Sequence, residues 1–584
     1  MSESLFAEFP PISTEQWEQA ISPKSVWHTE DGIDVAPFFR RDSATGWIAP
    51  LAPRGWKIRC DIANPDVPSA HRRALEMIAR QADAICFRGT SIGSAAELAT
   101  LLEGLPLDRV SLHFSRMRRP AEMLSLLAAH KGCEAWSGSL EFDPLAGLAE
   151  TGLSRVAKPA LFDEFARFYR AVRLALPRFI PVSIRAATFH ETGATAVQEL
   201  GLTLAAGAEY CAALRERGIA VDDFARGAAI CFSIGSNYFF EISKLRAARK
   251  VWAQMIGAFD SKASSHSVWI HARTSSWNRS VYDPHVNLLR GTTEAMAAIA
   301  GGCDSLTVEP FDEIYKLPDA FSHRLAIGTQ LVLREEAHLG GVADPAAGSW
   351  YIDWLTGEVE RRAWELFQQI EAEGGFVVAL ESGWIQKQVE SMRTARNHDI
   401  ATRQRIFTGT SRHPNPVERM AAMPIVRDDV EESDGIAIQV TPLLPENGPA
   451  PFTVIRLATD RYAARTGTAP KVLLVLMGDP KMSRLRAAFV ADFFGCAGFP
   501  VEEGSDPAAA SIVVLCSSDA EYATLAPALC RRLRDEGNPV PVVIAGYPKD
   551  RVDALRAAGV DSFIHVKTNA VEVLTEWQEK LGVR

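Results

Sequence analysis

A chain of 584 residues is too long for one hydrophobic core and implies roughly two to four domains. Its 47% hydrophobic and 23% charged residues fit a soluble globular protein, and a net charge of −10 argues against a nucleic-acid binder, which would carry a basic stripe. The nine cysteines are scattered singly with no C-x-x-C pair, which argues against zinc, iron–sulfur and disulfide frameworks and for a reducing compartment.

The N-terminus, Met1 to Glu8, is acidic and lacks a long apolar core, so it reads as neither a secretory signal nor a transit peptide. No apolar run is long enough to span a bilayer. The expected location is the cytoplasm, with no membrane partner.

Residues 1–50 read as an N-terminal arm. Ser13-Thr-Glu-Gln16 is a capping box that should open a short helix carrying Trp17. From residue 55 strands and helices alternate. Strands are expected at 55–62, 83–88, 109–114, 135–140, 180–184, 228–234, 267–272 and 305–308. Helices follow at 70–81, 95–102, 121–130, 161–176, 195–217, 237–252, 287–300 and 323–339. Eight such units predict a (β/α)8 TIM barrel over 51–403, with trailing helices from 358 to 403 packed outside it. Residues 404–469 are rich in proline, with a charged run at 427–434, and read as a linker. A second alternation over 470–584 has strands at 472–477, 501–503, 512–516, 540–545 and 562–566. It predicts a small doubly wound domain of flavodoxin type.

The sixth unit is the most informative. The apolar run 228–234 breaks at Gly235-Ser236, and a helix follows. Its Tyr238, Ile242, Leu245 and Trp252 fall on one side, while Glu241, Lys244, Arg246, Arg249 and Lys250 are expected mostly to face away. The loop between strand and helix lies on the face where barrel enzymes carry their active sites.

Several residues on that face could do chemistry. His190 lies just past the fifth strand, where a general acid or a hydrogen-bond donor would stand. A hydrogen-bonded loop histidine is the plainer reading. Ser139, Glu141 and Asp143 alternate at the end of the fourth strand and could share one face, as acid–base groups or as caps of the next helix. His271 to Trp277 and Tyr282 to Asn287 bring polar groups to the loop after the seventh strand without naming a reaction. Gly89-Thr-Ser-Ile-Gly93 matches the G-x-S-x-G nucleophile elbow. No oxyanion-type glycine run accompanies it, so Ser91 reads better as a turn or cap residue than as a hydrolase nucleophile. No metal-ligand cluster is evident.

The residues then point to a family. Asn237 to Trp252 resembles the corresponding helix of the methylmalonyl-CoA mutases. His190-Glu-Thr-Gly-Ala-Thr-Ala-Val-Gln-Glu-Leu200 resembles the segment after their fifth strand. Tyr282 to Arg290, Glu294 to Gly302, Phe311-Asp-Glu313 and Asp344 to Tyr351 resemble later parts of their barrel. The resemblance implies a substrate barrel joined by a linker to a cobalamin-binding domain. It also implies an isomerase that interconverts (R)-methylmalonyl-CoA and succinyl-CoA with adenosylcobalamin.

The departures are as informative. Cobalamin-binding members carry D-x-H-x-x-G in the first loop of the second domain, and its histidine ligates cobalt. The matching positions here are Pro480, Met482 and Leu485. The tyrosine near the first strand is missing, since the first tyrosine of the chain is Tyr169. The tyrosine–histidine pair after the fifth strand is Ala187 and Thr188. The threonine–glutamine pattern after the fourth is Ser139 and Glu141. The resemblance therefore implies a small, non-catalytic subunit with no cofactor-binding or catalytic residues of its own. Its partner would be a large subunit that holds adenosylcobalamin, and Ser139, Glu141 and His190 would remain as vestiges of the barrel mouth. The alternatives are an active mutase on another acyl-CoA and a free-standing CoA-thioester-binding barrel.

Overall fold

The computed structural model describes residues 12–20, 26–40, 55–259, 267–420, 436–507, 510–537 and 540–584. The charged run at 427–434 lies outside them. A short helix, Thr14–Ala20, and a small antiparallel hairpin, Trp27–His28 with Asp34–Val35, precede the first sheet. The capping box is present in both directions, with Ser13 N donating to Gln16 Oε1 at 3.0 Å and Gln16 N to Ser13 Oγ at 3.2 Å.

The first sheet is a parallel ladder in barrel order. Its strands are β1 (Lys57–Ile62), β2 (Ala84–Arg88), β3 (Ser111–Ser115), β4 (Gly138–Glu141), β5 (Phe179–Ile180 and Val182–Ile184), β6 (Ala228–Ile234), β7 (Trp269–Thr274) and β8 (Ser305–Thr307). Strand β5 comes in two pieces because Pro181 has no N–H to donate. The piece before Pro181 pairs with β4 and the piece after it with β6, so both ends of the ladder meet in one stretch of chain. The expected TIM barrel is present and nearly closed.

The helices between strands are α1 (Val67–Ala79), α2 (Ala95–Leu102), α3 (Pro120–Ala128), α4 (Lys158–Ala175), α5 (Ala196–Glu216), α6 (Tyr238–Ala258), α7 (Val286–Ala300) and α8 (Ala320–Leu331). After α8 the chain makes a π turn, Val332–Glu336, so the helix expected to reach 339 ends early. Helices α9 (Trp350–Ala372) and α10 (Trp384–Ala401) form an outer layer. Helix α9 packs on both α5 and α6. Close approach is possible because two α5 positions are glycine. A Cβ on Gly207 would stand 2.7 Å from Trp252, and one on Gly201 would stand 2.8 Å from Leu366.

This outer layer corrects the reading of α6. Its charged residues do not face solvent: Glu241, Lys244, Arg246 and Arg249 are all buried. They are paired instead. Arg246 meets Asp353 at 2.7 Å and Asp344 at 2.9 Å. Arg249 donates to the carbonyls of Val268 (2.8 Å) and Gly302 (2.6 Å). The sequence pattern marks one apolar stripe, but a helix between the barrel and a second helical layer buries its polar stripe too.

Between the two sheets, residues 404–469 are not all irregular, since α11 (Ala450–Thr466) is a full helix. The second sheet contains β9 (Val472–Leu476), β10 (Val501–Glu503), β11 (Ile512–Cys516), β12 (Val542–Ala545) and β13 (Ser562–Ile564). All are parallel, in spatial order β10-β9-β11-β12-β13. That is the expected flavodoxin-type order. Helices α12 (Pro480–Gly495), α13 (Tyr522–Asp535), α14 (Val552–Ala558) and α15 (Ala570–Lys580) complete the domain, and α11 packs against α15. All nine cysteines are buried and free. Among the described residues, no helix is long and apolar enough to cross a membrane.

Candidate functional site

The inward positions near the strand ends form a layer of charge. On β1, Arg59 and Asp61 are two residues apart and so share the inner face. Arg59 donates to Asp61 at 2.8 Å and, across the barrel, to Glu141 on β4 at 2.6 Å. Thr307 of β8 adds a hydroxyl to Asp61 at 3.1 Å. All four residues are buried. Burial works against ionising Asp61, but Arg59 and Arg273 outweigh it and hold the carboxyl well below the usual range. Burial and the charge of Arg59 together depress His113 and His271, so both rings are neutral. His113 is hydrogen-bonded to Ser139 at 2.7 Å, and His271 to Ser305 at 2.9 Å.

Toward the mouth the layer continues. Arg273 of β7 pairs with Glu309. Arg88, the last residue of β2, faces Glu313 at 3.3 Å and Glu309 at 3.8 Å. Arg185 and Arg116 share Glu150, at 3.3 and 3.7 Å, and Thr188 donates to the same carboxylate at 2.7 Å. The chain's own side chains thus cross-link the inside of the barrel.

The residues expected at the mouth fall into two groups. Ser139 and Glu141 stand together, with the hydroxyl 3.4 Å from the carboxylate, inside the Arg59 network. Asp143 serves as a cap, accepting Ala146 N at 2.9 Å, Arg185 N at 2.7 Å and the Tyr210 hydroxyl at 2.6 Å. His190 belongs elsewhere. It lies on the short helix Ala187–Glu191, bonded through Nε2 to Ser275 at 2.9 Å, with Nδ1 3.5 Å from Glu199. Glu199 in turn pairs with Lys244, which also contacts Glu241 at 2.6 Å and donates to the Ser233 carbonyl at 2.7 Å. Burial lowers the His190 pKa, but Glu199 outweighs it and the net shift is upward. This cluster sits between α5 and α6.

Ser91 is exposed, and α2 begins only at Ala95, capped by Ser94. Among the described residues, no hydrogen bond joins the Ser91 hydroxyl to a histidine. The polar loop after β7 turns toward the second domain instead of the mouth. Tyr282 donates to Asp460 of α11 at 2.8 Å, and the Asn447 amide reaches the carbonyls of Ser276, Trp277 and Arg279 at 3.1, 3.2 and 2.9 Å. Sequence reasoning missed Arg59, Asp61, Arg88, Arg116, Arg185, Glu309 and Glu313, and named Arg273 only within the polar stretch 271–277. A signal existed, because Arg59, Asp61 and Arg273 are charges inside otherwise apolar strands, at inward positions.

In the second domain, ligands of such a fold bind at the carboxyl ends of the strands. There the helix starts almost at once. Asp479 caps α12 by accepting Lys481 N (3.3 Å) and Met482 N (3.1 Å), so Pro480, Met482 and Leu485 are helical residues. Beside them Glu521 accepts from the hydroxyls of Ser517 (2.8 Å) and Ser518 (2.6 Å) and from Asp479 N (3.2 Å). Those bonds lower its pKa to about 2. The buried Tyr522 hydroxyl accepts Ser517 N at 2.9 Å and donates to the Ala545 carbonyl at 2.7 Å. His565 lies at the far edge, where its Nδ1 accepts Lys567 N at 3.2 Å.

Comparison with known proteins gives a consistent picture. Residues 76–439 match the family model described as methylmalonyl-CoA mutase. A methylmalonyl-CoA mutase small subunit from Porphyromonas gingivalis is 37% identical, covering 100% of this chain and 99% of that protein. One from Streptomyces virginiae is 32% identical, over 99% and 98%. The methylmalonyl-CoA mutase large subunit of Streptomyces virginiae is 29% identical, over 81% of this chain and 76% of its own length.

Proposed function

We propose, given that this chain belongs to the methylmalonyl-CoA mutase family, that it is the small, structural subunit of such a mutase. It would act beside a large subunit that carries adenosylcobalamin and performs the (R)-methylmalonyl-CoA to succinyl-CoA rearrangement. The observation that carries this reading is the Arg59–Glu141 ion pair, with its neighbours, across the inside of the barrel. A thioester held for radical chemistry needs free hydrogen-bond donors aimed at its carbonyl. Here the Arg59 guanidinium, which crosses the barrel interior, is bonded to the chain's own Asp61 and Glu141.

The residues of the second domain do not fit a cobalamin. The family motif would put a ligating histidine at position 482, and here that position is a methionine in the first turn of α12, with Pro480 and Leu485 at the flanking motif positions. Glu521 and Tyr522 tie together the strand ends, where ligands of such a fold bind. No step of the rearrangement is therefore assigned to this chain.

The test has two arms. The purified chain, incubated with adenosylcobalamin and desalted, should show no corrin absorbance and no mutase activity. Co-expressed with a large subunit it should give a one-to-one complex with activity. Stoichiometric uptake by the isolated chain would overturn the reading.

A further inference from the structure

Four arginines from four different strand ends converge on the barrel mouth. Arg88 ends β2, Arg116 follows β3, Arg185 follows β5 and Arg273 lies on β7. Their convergence is shown by shared partners: Arg116 and Arg185 meet on Glu150, and Arg88 and Arg273 meet on Glu309. Arg116 also feels Arg88, Arg185 and Arg273. Partial desolvation first, and then those like charges, lower its pKa to about 10.

The cluster is short of acceptors. Each guanidinium offers a planar fork of N–H donors. Among the described residues the four groups make three hydrogen bonds, from Arg88 to Glu313, Arg185 to Glu150 and Arg273 to Glu309. The Nε atoms of Arg88 and Arg185 are buried without a partner. Arg116 is held at 3.7 Å from Glu150, which is an ion pair and not a hydrogen bond, and its side chain is 48% exposed. Its backbone adopts φ +52°, a left-handed conformation that costs a non-glycine residue energy and persists where the surroundings require it. The four cations form their ion pairs with three carboxylates, Glu150, Glu309 and Glu313. Burial together with the neighbouring Glu313 pushes the Glu309 pKa up, while that of Glu313 is lowered.

We propose that Arg88, Arg116, Arg185 and Arg273 form a site for a small multivalent oxyanion, a phosphate or a dicarboxylate, at the mouth of the barrel. Such a ligand accepts several N–H bonds at once, which fixed glutamates at the rim do not provide. The donors left over after the resident ion pairs point to a second acceptor beside Glu150, reached through the exposed Arg116. This holds whether or not the chain is a mutase subunit, because it uses neither cofactor nor thioester.

The experiment uses the full chain, alone and in complex with a large subunit. Sodium phosphate and disodium glutarate are titrated at constant ionic strength against sodium chloride, reading the melting temperature and, by calorimetry, direct binding. The expected result is a saturable rise with at least one of the two anions. Response to phosphate alone assigns a phosphoryl ligand, and response to glutarate alone a dicarboxylate. Response to both assigns an unselective oxyanion site. Arg116→Ala and Arg185→Ala should weaken the half-saturation point at least tenfold, Arg116→Lys should be intermediate, and Arg361→Ala on the outer face of α9 should leave it unchanged. The proposal is overturned if both anions track chloride, or if the Arg116 and Arg185 variants, still folded by circular dichroism, respond like the parent.

Discussion

Arg59 on β1 donates a hydrogen bond of 2.6 Å to Glu141 on β4, joining strands that lie three steps apart in the barrel ladder. The pair is almost wholly shielded from water. Glu141→Ala should therefore lower stability by about 2–3 kcal/mol, short of the full cost of an orphaned buried charge because Asp61 still faces the guanidinium. Glu141→Gln keeps an acceptor and should cost about half as much. A urea titration followed by tryptophan fluorescence checks both. Equal midpoints for parent and Glu141→Ala would mean that the pair adds nothing to stability.

Lys244 is fully buried against Glu199 and Glu241. Lys244→Met preserves most of the side-chain length but leaves two carboxylates facing one another. It should cost about 3–5 kcal/mol, among the largest single-site losses in the chain. A loss below about 1 kcal/mol would mean that the network rearranges around the gap.

His190 gives a pH signature. Its pKa is raised above the ordinary 6.5 in the folded chain, burial being outweighed by Glu199. The stabilisation it contributes is therefore complete below pH 6.5 and is lost as pH rises through the higher folded value. Stability plotted against pH should fall over that window. His190→Gln should flatten the fall while leaving the slope at lower pH unchanged. An unaltered profile in the variant would assign the slope to another group.

Tyr282→Phe removes the 2.8 Å hydrogen bond to Asp460 and leaves a buried carboxylate with Met420 N and Arg419. About 1–1.5 kcal/mol should be lost. The local readout is faster proteolysis within residues 404–449, with the fluorescence of the barrel unchanged. Cleavage at the parental rate would show that the bond does not hold the domains together.

The barrel and the second sheet were legible because strand and helix periods alternate without ambiguity. Ala228–Ile234 and Ile512–Cys516 are short apolar runs bounded by turn residues, and Lys57–Ile62 alternates apolar and charged residues with the period of a strand. The charged side of α6 was not legible. Nothing local to Glu241, Lys244, Arg246 and Arg249 says that α9, which begins a hundred residues later, will cover them. The same holds for the mouth. Ser139 and Glu141 could be placed on one face of β4 by alternation, but Arg59 reaches Glu141 from a strand about eighty residues earlier. His190 was placed just past the fifth strand, but on a loop where the structure has a short helix, and its contacts with Ser275 and Glu199 depend on how helices pack and not on spacing.

The loop after β7 has a mechanical consequence. Adjoining domains in one chain ordinarily move against one another. Here Tyr282 is clamped to α11, Arg396 and Arg405 flank Trp277 with their guanidinium groups 5.3 and 5.6 Å from its ring, and both arginines are anchored to Glu30 of the N-terminal hairpin. Two separate stretches of chain thus grip one loop, and a third braces one of them. A push on the second domain is delivered to the end of β7 as if through a rigid strut, so anything seated at the rim and anything pressing on that domain would sense each other without a hinge between them.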